Sequence, residues 1–159
     1  MVAEVGALAP EQLAFRPAAE SWSVLDVVEH LVKVEEGIVS RIKKREPRTW
    51  GEAARAWLAL ELMSVYFVLG RRFKVPSQAV QPQGGTTLTT LGTRWEAAQQ
   101  ALRRAIDGLG SADFARPMMR HPILGLLTPV ETLSFIVRHI AHHRRQIARI
   151  RRSPMYPRF

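Results

Sequence analysis

The chain has 159 residues, of which 47% are apolar, and a formal net charge of +9. This length fits one domain with a real hydrophobic core, so we interpret residues 1–159 as a single domain. Cysteine is absent, which excludes disulfides, a thiolate nucleophile and sulfur ligands for a metal.

Neither a membrane span nor a secretory signal is predicted. No stretch approaches the ~18 consecutive apolar residues that a span requires, and the first residues lack the basic start and apolar run of a signal peptide. We therefore expect a cytoplasmic protein with no membrane partner. The basic excess could attract nucleic acid or acidic small molecules. Many of the Arg and Lys residues fall near predicted helix ends, however, where cations are favoured, and we interpret them mainly as solvated charges.

Four long helices are predicted from their start signals, in each of which a Ser or Thr is followed three residues later by Asp or Glu. The signals are Ser23 with Asp26, Thr49 with Glu52, Thr93 with Glu96, and Thr128 with Glu131. Apolar residues at helical spacing follow each signal and predict helices over residues 24–44, 50–70, 94–109 and 129–152. A short helical turn is predicted near residues 10–13. Because amphipathic helices must pack to bury their apolar stripes, the predicted fold is all-α, a four-helix bundle.

Two long connections, residues 71–90 and 110–127, contain several prolines and glycines. Connections of this length permit parallel as well as antiparallel helices, and they often form the mouth of a site. No segment has a convincing strand pattern, although residues 86–90 are compatible with a short extended stretch.

The chain has five histidines, three of them in the last predicted helix: His30, His121, His139, His142 and His143. On a helical wheel His143 lies within the apolar stripe, His139 lies on its flank, and His142 points about 120° from its centre. We therefore expect His142 to face water or the edge of the bundle. His139 and His143 are four residues apart, close enough to bind one metal ion. His30 lies in the apolar stripe of the first long helix.

Three neutral imidazoles from two helices, with a position left open for water, suit a divalent transition metal, and Zn and Ni are the first candidates. The predicted metal ligands are therefore His30, His139 and His143. The alternative is that they are hydrogen-bonded core residues. No residue is assigned a catalytic role.

Three further residues are candidates for supporting such a site. Asp26 and Glu29 could orient an imidazole, although helix capping is the preferred role of Asp26. His121 is interpreted as a loop-packing residue, with a polar position at the mouth of the site as the alternative.

Four stretches then resemble the DinB-like (DinB/YfiT) superfamily of small four-helix metalloproteins. They are residues 13–17 (LAFRP), 21–31 (SWSVLDVVEHL), 121–125 (HPILG) and 135–147 (FIVRHIAHHRRQI). The resemblance implies a bundle of unusual connectivity with a metal bound by one histidine of the first long helix and two of the last, positions that match His30, His139 and His143. It also implies a low-molecular-weight thiol as a cofactor, because the best understood relatives are thiol-dependent transferases or isomerases.

We therefore expect a metal-dependent enzyme that acts on a small molecule by thiol-dependent transfer or hydrolysis. A non-catalytic metal protein with a structural or sensing role is the first alternative. A nucleic-acid-binding bundle is the second, and it is disfavoured because the arginines are not interleaved with exposed aromatic residues and no binding motif is present. Apolar residues at expected outer positions, Val32, Val39 and Val137, suggest a homodimer.

Overall fold

The computed structural model describes residues 1–43, 46–69 and 77–159, and most of them are helical. Two short helices, α1 (Val2–Val5) and α2 (Pro10–Ala14), precede four long ones: α3 (Val24–Val39), α4 (Trp50–Val68), α5 (Leu88–Asp107) and α6 (Pro129–Arg151). The connections contain two 3-10 turns, Gln78–Val80 and Ser111–Ala115, and two strands, β1 (Met119–His121) and β2 (Gly125–Leu127). The predicted all-α architecture with four long helices is confirmed. No helix among the described residues could cross a membrane.

Three of the four predicted helix starts are confirmed by their hydrogen bonds. Ser23, Thr49 and Thr128 each accept the backbone N–H three residues ahead, and the acidic residue at that position binds back to the cap. At α3, for example, Asp26 Oδ2 accepts the Ser23 N–H at 2.7 Å. Each box satisfies N–H groups that would otherwise lack a partner at the start of a helix.

The fourth start signal, Thr93 with Glu96, is wrong, because α5 begins six residues earlier. Thr87 is its cap and accepts the N–H of Thr90 at 3.2 Å. Thr93 instead lies inside the helix, where its hydroxyl donates to the Thr89 carbonyl. The segment 86–90, rich in β-branched threonines, was therefore a helix start rather than an extended stretch. Burial of Leu91, which is completely inaccessible, favours the longer helix.

Helix α3 ends at Val39, before its predicted end at residue 44. The predicted ends of α3 and α4, residues 44 and 70, lie outside the described residues. Beyond Val39 the chain turns, and the Lys43 N–H donates to the Met118 carbonyl at 2.9 Å. This bond joins the end of α3 to the hairpin and replaces a helical hydrogen bond.

The hairpin was missed because each strand has only three residues. β1 and β2 are antiparallel, with Met119 opposite Leu127 and His121 opposite Gly125. Gly125 has φ of 79°, a conformation that favours glycine. Met119 and Leu127 are fully buried, so the hairpin closes one end of the core.

The four long helices enclose two adjoining apolar clusters. In one, α3 packs on α5 and on the end of α6, with Val28, Leu91 and Ile147 at its centre. In the other, α4 packs on α6 and the hairpin, with Leu60 and Leu127 buried between them. α4 and α6 run in the same direction, because Glu61 pairs with Arg138 and Phe67 lies further along beside His142.

Several arginines are paired with carboxylates rather than simply solvated. The pairs are Arg16 with Asp26, Arg48 with Glu131, Arg94 with Glu36, Arg138 with Glu61, and Arg144 with Glu4. Arg48 is largely covered and donates to Glu131 through both terminal guanidinium nitrogens, Nη1 and Nη2, at 2.7 Å. It thereby ties the segment before α4 to the first turn of α6.

One acidic residue is buried away from any basic partner in the described chain. Glu35 of α3 is 3% exposed, and burial raises its pKa to about 7, while Trp95 and Gln99 on the facing helix lower it in part. Neither Glu35 Oε1 nor Trp95 Nε1 makes a hydrogen bond of ordinary geometry among the described residues. The folded protein therefore favours the protonated acid at this position.

We expect Glu35 to make stability fall as pH rises. Its pKa is about 7 when folded and near 4.5 when unfolded, so the folded state holds the extra proton, and stability declines between these two values. Glu35→Gln should abolish that decline and stabilise the protein by about 2–3 kcal/mol at pH 8, with a smaller gain at pH 5. Urea unfolding at both pH values measures this, with the exposed Glu96→Gln as control. Equal gains at the two pH values would contradict the assignment.

Candidate metal centre

His30 reaches the interior from the middle of α3. Its side chain is buried, and Nδ1 lies 2.7 Å from the carbonyl oxygen of Val80, in the 3-10 turn before α5. A carbonyl only accepts, so Nδ1 must carry the hydrogen. In the neutral ring the lone pair is then on Nε2, which faces the other histidines. A backbone group in a loop thus sets the tautomer of His30.

α6 directs two of its three histidines, one turn apart, to the same point. His139 and His143 are both buried, and their Nε2 atoms lie 3.0 Å apart. His143 Nδ1 lies 2.8 Å from Gln146 Oε1, which accepts its hydrogen and leaves Nε2 free. His30 Nε2 lies 3.3 Å from His139 Nε2. The structure therefore brings together the three predicted ligands, hereafter the histidine trio.

The spacing of these nitrogens fits a bound metal. With metal–nitrogen bonds of about 2.0–2.1 Å, two ligands are separated by about 3.3 Å at a tetrahedral angle and about 2.9 Å at a right angle. The observed separations are 3.3 and 3.0 Å, and one ligand atom from each of the three residues lies within 4.8 Å of the others. Without a metal, His139 Nε2 carries at most one hydrogen, which cannot form full hydrogen bonds to the Nε2 lone pairs of both His30 and His143. The donor set therefore suits a cation better than a hydrogen-bonded core.

Burial keeps the trio neutral. It lowers the pKa of His143 to about 3 and that of His139 well below its usual range, and nearby histidines add to both shifts. The pKa of His30 is also lowered by burial, although its bond to Val80 opposes the shift. A neutral imidazole is the form that binds a metal, so the protonation state of the trio is compatible with a metal at pH 7.

Three aromatic rings surround the imidazoles. Trp22 lies 5.0 Å from the His30 ring centre and stacks over His143 at 6.3 Å. Phe135 stacks on His139 at 5.3 Å, and Phe67 of α4 lies 5.7 Å from the same ring. These rings limit water around the ligands, which strengthens electrostatic interactions inside the site. Sequence analysis missed their role, although Trp22 lies in the segment 21–31 that carries the family resemblance.

The prediction that His142 faces water or the bundle edge is wrong. Its side chain is 8% exposed, stacks on Phe67 at 4.7 Å, and has Nδ1 3.1 Å from the Phe67 carbonyl oxygen. The helical wheel identified only the apolar stripe of α6. α4 covers the neighbouring flank of α6, so more of its circumference is buried than the apolar pattern indicates.

His121 has the loop-packing role that was preferred for it. Its Nδ1 accepts the N–H groups of Ile123 and Leu124, both at 3.1 Å, and so holds the hairpin turn. Its ring contacts Phe135, with centres 4.7 Å apart. Burial lowers its pKa to about 4, and the Phe135 ring that it contacts also stacks on His139.

Asp26 and Glu29, the two carboxylates proposed to orient an imidazole, have other hydrogen-bonding partners. Asp26 caps α3 and pairs with Arg16 at 2.8 Å. Glu29 accepts the N–H groups of Gln83 and Gly84, both at 3.0 Å, and pairs with Lys33. Lys33 also donates to the Gln81 carbonyl at 2.9 Å. Glu29 and Lys33 thus hold the loop that supplies the Val80 carbonyl to His30.

Comparison with known proteins agrees with this architecture. The model of the DinB superfamily matches residues 1–147, and the chain belongs to that superfamily. It is similar to the uncharacterized protein YuaE of Bacillus subtilis (strain 168), with 25% identity over 148 residues, which cover 93% of this chain and 88% of YuaE. No solved structure matches the chain.

Gln146→Leu tests the support of His143. The substitution keeps a side chain of similar size but removes the acceptor for His143 Nδ1–H, so it should weaken Zn²⁺ binding by about 10–100-fold. Competition against a chromophoric chelator measures the affinity. The exposed Gln100→Leu on α5 is the matched control and should bind like the parent. Equal affinity in both variants would show that Gln146 does not orient the ligand.

Proposed function

We propose that this protein is a metal-dependent enzyme in which His30, His139 and His143 bind one divalent transition metal, Zn or Ni. One observation carries the proposal: buried Nε2 atoms from two helices converge at the separations of metal ligands. Membership of the DinB superfamily supports it. All three ligands are neutral, so the bound ion retains its full charge, and it would lower the pKa of a coordinated water or thiol to give a nucleophile near neutral pH.

The protein's own groups prepare this site in two ways. The Val80 carbonyl and Gln146 amide hold the Nδ1 hydrogens of His30 and His143, which aims both Nε2 lone pairs at one point. The rings of Trp22 and Phe135 cover the imidazoles and limit water. A position left open by only three protein ligands is the usual arrangement of a catalytic rather than structural zinc site.

The charges near the trio favour an anionic reactant. Burial lowers the pKa of His142 and His143, Arg149 adds to both shifts, and Arg145 adds to that of His142, so basic side chains lie near this end of α6. Arg145 also lies against the Phe67 carbonyl. A low-molecular-weight thiol that carries carboxylates would be attracted there. We therefore propose thiol-dependent transfer to a small electrophilic molecule as the reaction, with hydrolysis as the second candidate.

Metal content is the first test. Elemental mass spectrometry of the untagged protein should find about one transition-metal ion per chain after dialysis against Zn²⁺ or Ni²⁺, and His30→Ala and His143→Ala should each lose it. His142→Ala is the matched control, because it removes a buried imidazole from the same helix without removing a proposed ligand. Saturating metal should raise the free energy of unfolding of the parent by about 3 kcal/mol at 100 times the dissociation constant. A parent that binds no metal, or a His143→Ala variant that retains it, would make the trio core residues.

Activity separates the enzyme from the non-catalytic alternative. The metal-loaded parent should transfer thiols to, or hydrolyse, at least one member of a panel of small electrophiles and esters. The metal-free protein and His143→Ala should be inactive, and His142→Ala should retain activity. Metal that raises the melting temperature but supports no turnover on the panel would instead favour a structural or sensing role.

A further inference from the structure

α4 exposes an apolar face that nothing in the described chain covers. Leu58, Leu62, Val65 and Leu69 follow one another at spacings of four, three and four residues and are 52–66% exposed. Trp57 and Val68 flank this row and are 61% and 68% exposed. Such spacing produces a continuous stripe along one side of a helix, the pattern of a helix that packs on another helix.

α6 extends this surface. The Glu61–Arg138 ion pair joins α4 and α6 at the protein surface, and Arg138 also bonds to Ser64. Val130 and Val137, on the outer side of α6, are 62% and 65% exposed. We define the α4–α6 face by eight residues: Trp57, Leu58, Leu62, Val65, Val68, Leu69, Val130 and Val137.

The area of this face is that of a stable interface. From their exposed fractions, the eight residues present on the order of 900 Å², whereas each partner of a standard protein complex buries roughly 800 Å². The largest apolar patch of a typical monomer is about 300–600 Å². A surface of this size left in water favours association.

The charged residues near the α4–α6 face indicate which kind of partner it binds. Within α4 the charged residues are Glu52, Arg55 and Glu61, which give this helix a net charge of −1 in a chain of +9. Helices that lie on anionic membranes carry Lys and Arg beside their apolar face, and α4 lacks that pattern. Two copies of a strongly basic chain repel each other except where charge is sparse. Beside the α4–α6 face, Arg138 pairs with Glu61 and Arg144 pairs with Glu4, so these flanking charges are balanced within the chain, and apolar side chains can face their own copies without a complementary charge.

We propose that the α4–α6 face binds a second copy of this chain in a two-fold symmetric dimer, with α4 packed against α4 of the partner. A surface that associates with itself about a two-fold axis needs only one patch. The homodimer suggested from sequence included Val32 and Val137 among its outer contacts. Val32 is fully buried and cannot be one, whereas Val137 is exposed and belongs to the α4–α6 face.

Sedimentation velocity over a concentration series tests the proposal on the 159-residue chain. The parent should sediment at twice 18.0 kDa, and Leu62→Glu should weaken association by at least about 100-fold because the dimer would bury an unpaired carboxylate. Met155→Glu is the matched control, since Met155 is 80% exposed and outside the face. It should remain dimeric. Circular dichroism and melting verify that each variant is folded.

A parent that stays at 18.0 kDa up to ~100 µM, or a dimer that Leu62→Glu does not weaken, would overturn the proposal. If Leu62→Glu does not fold, Val65→Cys provides a second route. The chain contains no other cysteine, so a spin label there gives a dipolar signal only between copies. A monomeric parent that binds phosphatidylglycerol vesicles, and loses that binding on Leu62→Glu, would assign the face to a membrane and reject the dimer.

Discussion

Three imidazole nitrogens lie close together in the interior because the histidines of α3 and α6 point towards each other. This arrangement constrains the surrounding residues of the bundle. Each ring must be neutral, and its Nε2 lone pair must be free. Burial meets the first demand by lowering the pKa of all three histidines. Acceptors at the opposite nitrogens of His30 and His143, the Val80 carbonyl and the Gln146 amide, meet the second. The loop before α5 therefore belongs to the site as fully as the two helices do.

The predictable part of the structure is the part that local chemistry determines. Capping boxes at Ser23, Thr49 and Thr128 depend on residues three apart, and the structure contains all three. His139 and His143 could be selected for the same reason, because helical spacing aligns them, and His30 could be selected from its position in the apolar stripe of α3. The support of these rings could not be predicted. The Val80 carbonyl is a backbone group 50 residues from His30, and no side-chain pattern marks it.

The incorrect predictions concern helix faces, because a sequence does not show which neighbouring element covers each face. His142 is predicted to face water or the edge of the bundle because a helical wheel does not show that α4 covers a second flank of α6. In α4 the opposite problem occurs. Leu58 and Leu60 are equally apolar, yet Leu60 is buried and Leu58 is half exposed. A helix that is apolar on most sides does not reveal which side faces the core, and only packing separates the two.

The loop over residues 80–84 is hydrogen-bonded to α3 through its own backbone groups. Val80 and Gln81 contribute carbonyl groups, Gln83 and Gly84 contribute N–H groups, and every side chain in these bonds comes from His30, Lys33 or Glu29. Backbone groups are the same whatever side chain the residue carries. Most side chains of this loop can therefore be substituted while its hydrogen bonds to α3 and the tautomer of His30 are retained. The surface at this edge of the histidine trio can therefore vary without any change in the three imidazoles themselves.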